Sequence, residues 1–214
     1  MSQLKLTADG GGGTVAIKAP ASTTGNSAFE LTLPGTGNST LATTATAGKI
    51  LQVIQNVKTD VASMSTQQSE TAIPGTDQGG SGSIYCVKIT PSSTSSKIFF
   101  KVTLNHGTTN DQLSGGILYR DSTALGLATS VGSRKAVTFP FPYIADGDGS
   151  NPIIYTAYYE YLDSPSSTSE LTYSVKYYNH HGDTSYINRS IRDSASTTYD
   201  VRTSSTLTVM EVAA

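Results

Sequence analysis

"ITPSSTSSKIFFKVTL", residues 89–104, reads as the end of one strand, a wholly polar turn and a second strand. Pro91 has no N–H to give to a ladder and closes the first strand. Pro91 to Ser96 is an unbroken run of proline and small hydroxyl residues, whose side chains satisfy turn backbone locally. Ile98, Phe100, Val102 and Leu104 then alternate with Phe99, Lys101 and Thr103, the period of two of a half-buried strand. The reading is a β-hairpin with the Ile98 set turned to the core. Its tip carries no reactive group, so it reads as architecture and not as an active-site loop.

The same period recurs on both sides of this stretch. "KILQVIQNVKTD" alternates Leu51, Val53 and Val57 against Gln52, Asn56 and Lys58, and its β-branched residues favour a strand over a helix. A polar stretch over 59–83 holds a possible strand near "ETAI". Further strands are expected at 84–90, 97–104, 114–120, 135–139, 152–162, 171–178, 184–189 and 205–212. No window sustains a 3.6 period, so helix is expected to be minor. Short strands separated by turn signals point to an all-β chain, an antiparallel sandwich of jelly-roll type.

Composition agrees. Charged residues make up 14% of the 214, against about 25% in an average soluble chain. Serine and threonine number 29 and 31, glycine 20, and tryptophan is absent. A net charge of −2 with scattered Lys and Arg argues against nucleic acid as a partner. No apolar run approaches the ~20 residues of a membrane helix, so no membrane insertion is expected. The N-terminus shows no signal-peptide pattern, which points to synthesis in a cytoplasm. Cys86 is the lone cysteine. Within "SIYCVKIT" it reads as a packed thiol and not as a nucleophile.

Residues 1–47 differ from the rest. They contain no tyrosine and four charged residues, Lys5, Asp9, Lys18 and Glu30. Leu4 and Leu6 alternate, four glycines follow, and Val15 and Ile17 alternate again, a hairpin signal with a permissive turn. Phe29, Leu31 and Leu33 suggest a third strand, and a linker leads to a domain over 48–214. Three short strands make no core alone. These apolar residues are therefore assigned to assembly: an extended β arm, ordered by packing on a partner, a sister chain or the following domain. A floppy tail is the alternative.

Five blocks stand in order along the domain: ILQV (50–53), ITPSSTSSKIFFKVTL (89–104), GGILYRD (115–121), YLDSPSSTSELTYSVKY (161–177) and STLTVMEV (205–212). Together they resemble a C-terminal domain of virion proteins of tailed bacteriophages, found in tail fibres and related appendages of marine and cyanobacterial phages. "DGGGGTVAIKAPASTTGNSAFELTLP" (9–34) resembles a segment that precedes such domains. The resemblance implies a structural virion protein, a jelly-roll-like sandwich and a homotrimer, made in the host bacterial cytoplasm and released by lysis. It leaves open a short tail fibre, a head fibre or a capsid-decorating protein. It also implies contacts with other virion proteins through the arm, and allows attachment to a host-surface glycan. Relatives often carry long shafts or anchoring domains upstream, where only about 47 residues precede the domain in this chain.

Candidate sites are few. "YNHHGDTSY" holds His180, His181 and Asp183, but adjacent residues of a strand point to opposite faces, so a turn is the simpler reading of the pair than a metal site. "ADGDGSN" places Asp146, Asp148 and Ser150 like the start of a calcium loop, without the sixth-position glycine or the closing Glu of the full motif. No metal or other cofactor is assigned. Tyr155, Tyr159 and Tyr161 share a strand face and read as packing. Tyr177, Tyr178 and Tyr186 are the candidates for a sugar-stacking surface. Arg189, Arg192, Asp193, Asp200 and Arg202 read as ion pairs within or between subunits, with an anionic-glycan site as the alternative. Glu160 and Asp163 are close in sequence, but glycosidase carboxyls must face each other across a sugar. No GxSxG, HExxH or phosphate loop is present, so the chain is read as a non-enzyme.

Overall fold

The computed structural model describes residues 3–7, 14–18, 49–65, 67–108, 114–141, 152–195 and 198–214. All regular structure among them is strand, with no helix. No helix among them is therefore long and apolar enough to cross a membrane. The chain divides into two units, Met1–Ala47 and Gly48–Ala214.

In the first unit β1 (Gln3–Thr7) pairs antiparallel with β2 (Thr14–Lys18), with Leu4 opposite Ile17 and Leu6 opposite Val15. Phe29, Leu31 and Leu33 lie outside the described residues.

The second unit runs through β3 (Ile50–Lys58), β4 (Ala62–Ser65), β5 (Ser69–Ala72), β6 (Cys86–Ile89), β7 (Lys97–Thr108), β8 (Ser114–Arg120) and β9 (Thr123–Leu125). It continues through β10 (Phe139–Pro140), β11 (Tyr155–Asp163), β12 (Leu171–Asn179), β13 (Thr184–Ile187) and β14 (Ser205–Val212). The first sheet is built on the β8–β12 pair, with β9 and β10 along the free side of β8, and β5 and β6 along the free side of β12. The second is built on β7. There β11 covers one side, while β14 and β13 lie in line on the other and carry β3 and β4 outside them. All pairs are antiparallel, and the two sheets pack face to face as a sandwich.

Alternation produces the core directly. Ile98, Phe100, Val102 and Leu104 of β7 and Leu207 and Val209 of β14 pack with Leu118 of β8 and Tyr173, Val175 and Tyr177 of β12. The Phe100 and Tyr173 rings meet across the sheets at 5.4 Å. Each such side chain contributes about 1.5–3 kcal/mol by leaving water. Gly116 has no side chain because the Phe139 ring fills the place, a Cβ there lying 2.2 Å from its Cζ.

Residues 89–104 do not form a hairpin. β6 pairs with β12 in the first sheet, whereas β7 pairs with β14 and β11 in the second. The period of two fixes which side chains point inward, and it carries no information about which strand lies alongside. The polar turn is a corner between sheets, and a buried carboxylate of β14 holds it. Glu211 accepts from the Ser92 N–H at 2.7 Å, the Ser92 hydroxyl at 2.6 Å and Gln52 Nε2 at 2.7 Å. Burial opposes its charge, yet these donors, with Ser96, hold its pKa down to about 2. Ser93 and Ser95 make the local turn bonds.

Two other expectations change. The expected strand at 135–139 shrinks to β10, because Ala128 N–H donates to the Val137 carbonyl and closes 128–137 as a loop. On β3, Leu51, Val53 and Val57 face outward, all about half exposed, and Asn56 and Lys58 are buried. The inward polar set is satisfied: Asn56 Nδ2 donates to the Thr76 and Cys86 carbonyls, and Lys58 pairs with Asp60 at 2.8 Å. This face of β3 meets the segment before β6, where polar partners wait for it. Cys86 is buried, and burial pushes its thiol pKa up.

Candidate functional site

The outer face of the first sheet carries a small second cluster of buried rings. Ile117, Tyr119 and Tyr178 pack there with Ala124 and Val137. On β12, residues 172, 174, 176 and 178 alternate with the core set, which places Lys176 and Tyr178 on this outer face. Lys176 Nζ sits 3.9 Å from the Tyr119 ring centroid. Tyr119 donates a short hydrogen bond to Glu70 of β5, and Lys135 pairs with the same carboxylate at 2.6 Å. Burial, reinforced by Glu70, pushes the Tyr119 phenol up to about 12. Burial opposes the charge on Glu70, but Lys135 and Tyr119 leave its pKa below the ordinary value.

The 128–137 loop lies over this face. Thr138 pins its end, donating its hydroxyl to the Leu125 carbonyl at 2.8 Å and its N–H to Gly116 at 2.9 Å. Gly115 permits the approach, since a Cβ there lies 2.8 Å from the Phe139 carbonyl. Between the loop and the sheet is a cavity of about 460 Å³ lined by Ser114, Ser133, Arg134, Lys135, Val137, Pro140, Tyr178 and His180. The Ser114 hydroxyl is buried on the core-facing side of β8, with no hydrogen-bond partner among the described residues. Arg134 makes one long bond, to the Val131 carbonyl at 3.5 Å, and no carboxylate pairs with it among the described residues.

The structure sorts the residues singled out in the sequence. Tyr178 and His180 meet at this cavity. Tyr177 does not belong to a surface: it is fully buried, takes hydrogen bonds from Asn179 Nδ2 at 2.8 Å and Ser185 Oγ at 2.6 Å, and stacks on Phe141. It and Tyr178 are neighbours in a strand, so one of the two had to point inward. Tyr186 is half-buried under the Arg189 guanidinium, 4.0 Å from its ring centroid. The His180 and His181 rings lie edge-on at 5.6 Å, in a bend where Asn179 Oδ1 accepts from the His181 N–H. No group of three metal-ligating side chains converges among the described residues. Asp146, Asp148 and Ser150 lie outside them. Tyr159 and Tyr161 pack on the core, and Tyr158 points outward.

The arginines of 189–202 pair within the chain. Arg189 and Arg202 both bind Asp193, at 2.9 and 2.7 Å, and Arg192 binds Asp200 at 2.9 Å. Arg192 and the Ser194 and Ser190 hydroxyls hold Asp200 far below the usual carboxylate range. Glu160 and Asp163 lie on opposite faces of β11. Glu160 faces out and pairs with Lys101 at 3.1 Å. Asp163 faces in, takes two bonds from Arg120 at 2.8 and 2.6 Å, and accepts from Tyr173 at 2.7 Å. They cannot clasp a sugar between them.

Three residues were invisible to pattern. Ser114 and Arg134 carry no motif; the loop brings Arg134 to the cavity, and the β8–β12 pairing brings Ser114 near it. His106 sits at an inward position of β7 and is fully buried, its ring 4.3 Å from Phe141 and 6.2 Å from Tyr155. Neither of its nitrogens has a hydrogen-bond partner among the described residues. Burial holds its pKa down to about 4.

No family model and no curated protein matches the chain.

Proposed function

We propose that the chain is a structural protein of a tailed-bacteriophage virion, a short trimeric tail fibre or fibre-like appendage active in assembly and host attachment. The observation that carries the reading is the outward face of the second sheet. The register aligns Leu162, Phe99, Met210 and Val53 in one row across β11, β7, β14 and β3. Leu162 and Val53 are 50% and 56% exposed; Leu51 adjoins the row, and Tyr158 and Val57, with similar exposure, lie beyond the intervening row of Glu160, Lys101, Thr208 and Gln55. Four strands spaced about 4.8 Å apart make a patch of roughly 300 Å², about the size of the largest apolar patch on a soluble monomer, which often serves a contact. Its charged row, Lys101 with Glu160, is internally neutralised, so a second copy meets no net repulsion. Closure around a three-fold axis buries such a face in every chain.

From β6 to β8 and again from β10 to β13 successive strands cross from one sheet to the other, a connectivity that jelly rolls also use. The resemblance of the ordered blocks to phage appendage domains supports the same reading. The β1–β2 arm then reaches sister chains or other virion proteins. A capsid-decorating or head-fibre protein is the variant on the same architecture. Antibodies to the protein, applied to purified particles of the phage that encodes it, should decorate a tail appendage. Labelling of the head selects the decorating or head-fibre variant. Particles free of label and of its peptides refute a virion role.

A second reading, a receptor module for a host-surface glycan, is favoured by the cavity beside Tyr178 and His180. Adsorption blocked by the same antibodies supports it, and adsorption left unchanged removes it.

A further inference from the structure

We infer that copies of the chain join edge to edge through the second sheet, β11 of one copy pairing antiparallel with β3 of the next. This rests on the reading of that sheet's outward face as covered by copies, and it specifies how they meet.

The two sheets end differently. The first is bordered by the short strands β5, β6, β9 and β10, of two to four residues each. The second ends on β3 and β11, each nine residues long, and among the described residues neither has a strand on its second side. Such an edge is a template for another strand, and soluble proteins blunt it with prolines, outward lysines or short length. β3 has none of these. It holds no proline, and its outward residues Leu51, Val53, Gln55 and Val57 are uncharged. Its single register shift, opposite Glu211 and Val212, lies at its start. Tyr85 and Asn188 bond the Asn56 and Lys58 carbonyls, which leaves residues 50–55 as the open run. On β11 the one outward charge, Glu160, is neutralised by Lys101.

Direction and chemistry both fit a second copy. The strands β11, β7, β14 and β3 alternate in direction across the sheet. Their number is even, so a head-to-tail neighbour presents its β11 antiparallel to β3, and the alternation continues. Only an even register shift keeps outward side chains outward. Set level, Val53 meets Leu162 of the next copy. Staggered by about four residues, as strand tilt in a closed barrel requires, it meets Tyr158. Both arrangements put apolar beside apolar. Three copies of four strands close a barrel of roughly twelve strands, between the eight whose side chains fill the interior and the sixteen that leave an aqueous channel. The first sheet covers the other face, so the exposed row lines the inside and is buried in every copy.

The test is cysteine pairing in the full chain. Val53→Cys is combined with Leu162→Cys in one variant and with Tyr158→Cys in another, and each is treated with a mild oxidant and with a short bis-maleimide. Within one chain Val53 and Leu162 lie three strand spacings apart, roughly 14 Å, too far for a disulfide. The native Cys86 is buried. At least one double variant should run on a denaturing gel mainly as a linked species of three chain masses, and each single variant as one chain mass. All three positions are exposed, and circular dichroism checks that each variant keeps its sheets. A native mass of three chains with neither pair linked overturns edge pairing and leaves the trimer reading standing. Linking of a single variant to its own kind does the same, because like residues then meet at an axis. A native mass of one chain removes the inference together with the trimer reading.

Discussion

Replacing His106 with phenylalanine should remove most of the protein's loss of stability between pH 7 and pH 5. The imidazole lies among Phe141 and Tyr155, and among the described residues both nitrogens are unpaired. Burial favours its neutral form and lowers its pKa from 6.5 to about 4. The sign follows from proton counting. Between pH 6.5 and 4 the unfolded chain binds a proton at this site and the folded chain does not. Stability is therefore full above about pH 6.5, declines as pH falls, and levels off below about 4. At about 1.4 kcal/mol per pH unit the whole step is worth about 3 kcal/mol, of which about 2 is lost by pH 5. With a urea m-value of about 2 kcal/mol/M, the midpoint should drop by about 1 M between pH 7 and 5. The assay is urea unfolding followed by far-UV circular dichroism at half-unit pH steps, for wild type, His106→Phe and His106→Leu. Each variant serves as its own reference, so a packing cost that is the same at every pH cancels. A wild-type midpoint flat across this window, or variants that keep the wild-type slope, refutes the reasoning.

Other substitutions probe the remaining framework. Glu211→Gln should cost about 1–3 kcal/mol at pH 7, because it removes the charge that gathers Ser92, Ser96 and Gln52. Since the folded pKa lies below the unfolded value of 4.5, wild-type stability from this group is present above about pH 4.5 and lost as pH falls toward 2; the variant's unfolding curve should lack that acid step. Asp163→Asn leaves the partly buried Arg120 without its countercharge and should destabilise by about 3 kcal/mol in thermal or urea unfolding. Gly116→Ala drives a methyl into the Phe139 ring and should cost about 1–3 kcal/mol, whereas Gly80→Ala, with open space around it, should be governed by backbone conformation alone.

The sequence was informative where one periodicity decides one outcome. Strand after strand was legible from alternation, and the inward set of β7 was read correctly from Ile98, Phe100, Val102 and Leu104. Strand partners were not legible. The 89–104 turn joins two sheets through Glu211, a residue more than a hundred positions away, and no local pattern contains that contact. β3 shows a second limit. Alternation separates its two faces, but the apolar one is turned outward because polar partners, Thr76 and Cys86 among them, await the other. At the candidate site Tyr178 and His180 stood out by type. Tyr177 shared that type, and strand parity sent it to the core. Arg134 reaches the cavity beside Tyr178 only through the 128–137 loop, Ser114 comes near through the β8–β12 pairing, and His106 looked like any polar residue in a strand.

The central claim is that the exposed row on β11, β7, β14 and β3 is covered by copies of the same chain. Its direct test is the mass of the full chain in solution by light scattering, beside that of Leu162→Lys, a substitution at an exposed position of the row. The wild type should show three times the chain mass of 22.4 kDa, and the variant a single chain mass with its β-sheet spectrum intact. A wild-type mass of one chain at micromolar concentration, unchanged by the substitution, contradicts it.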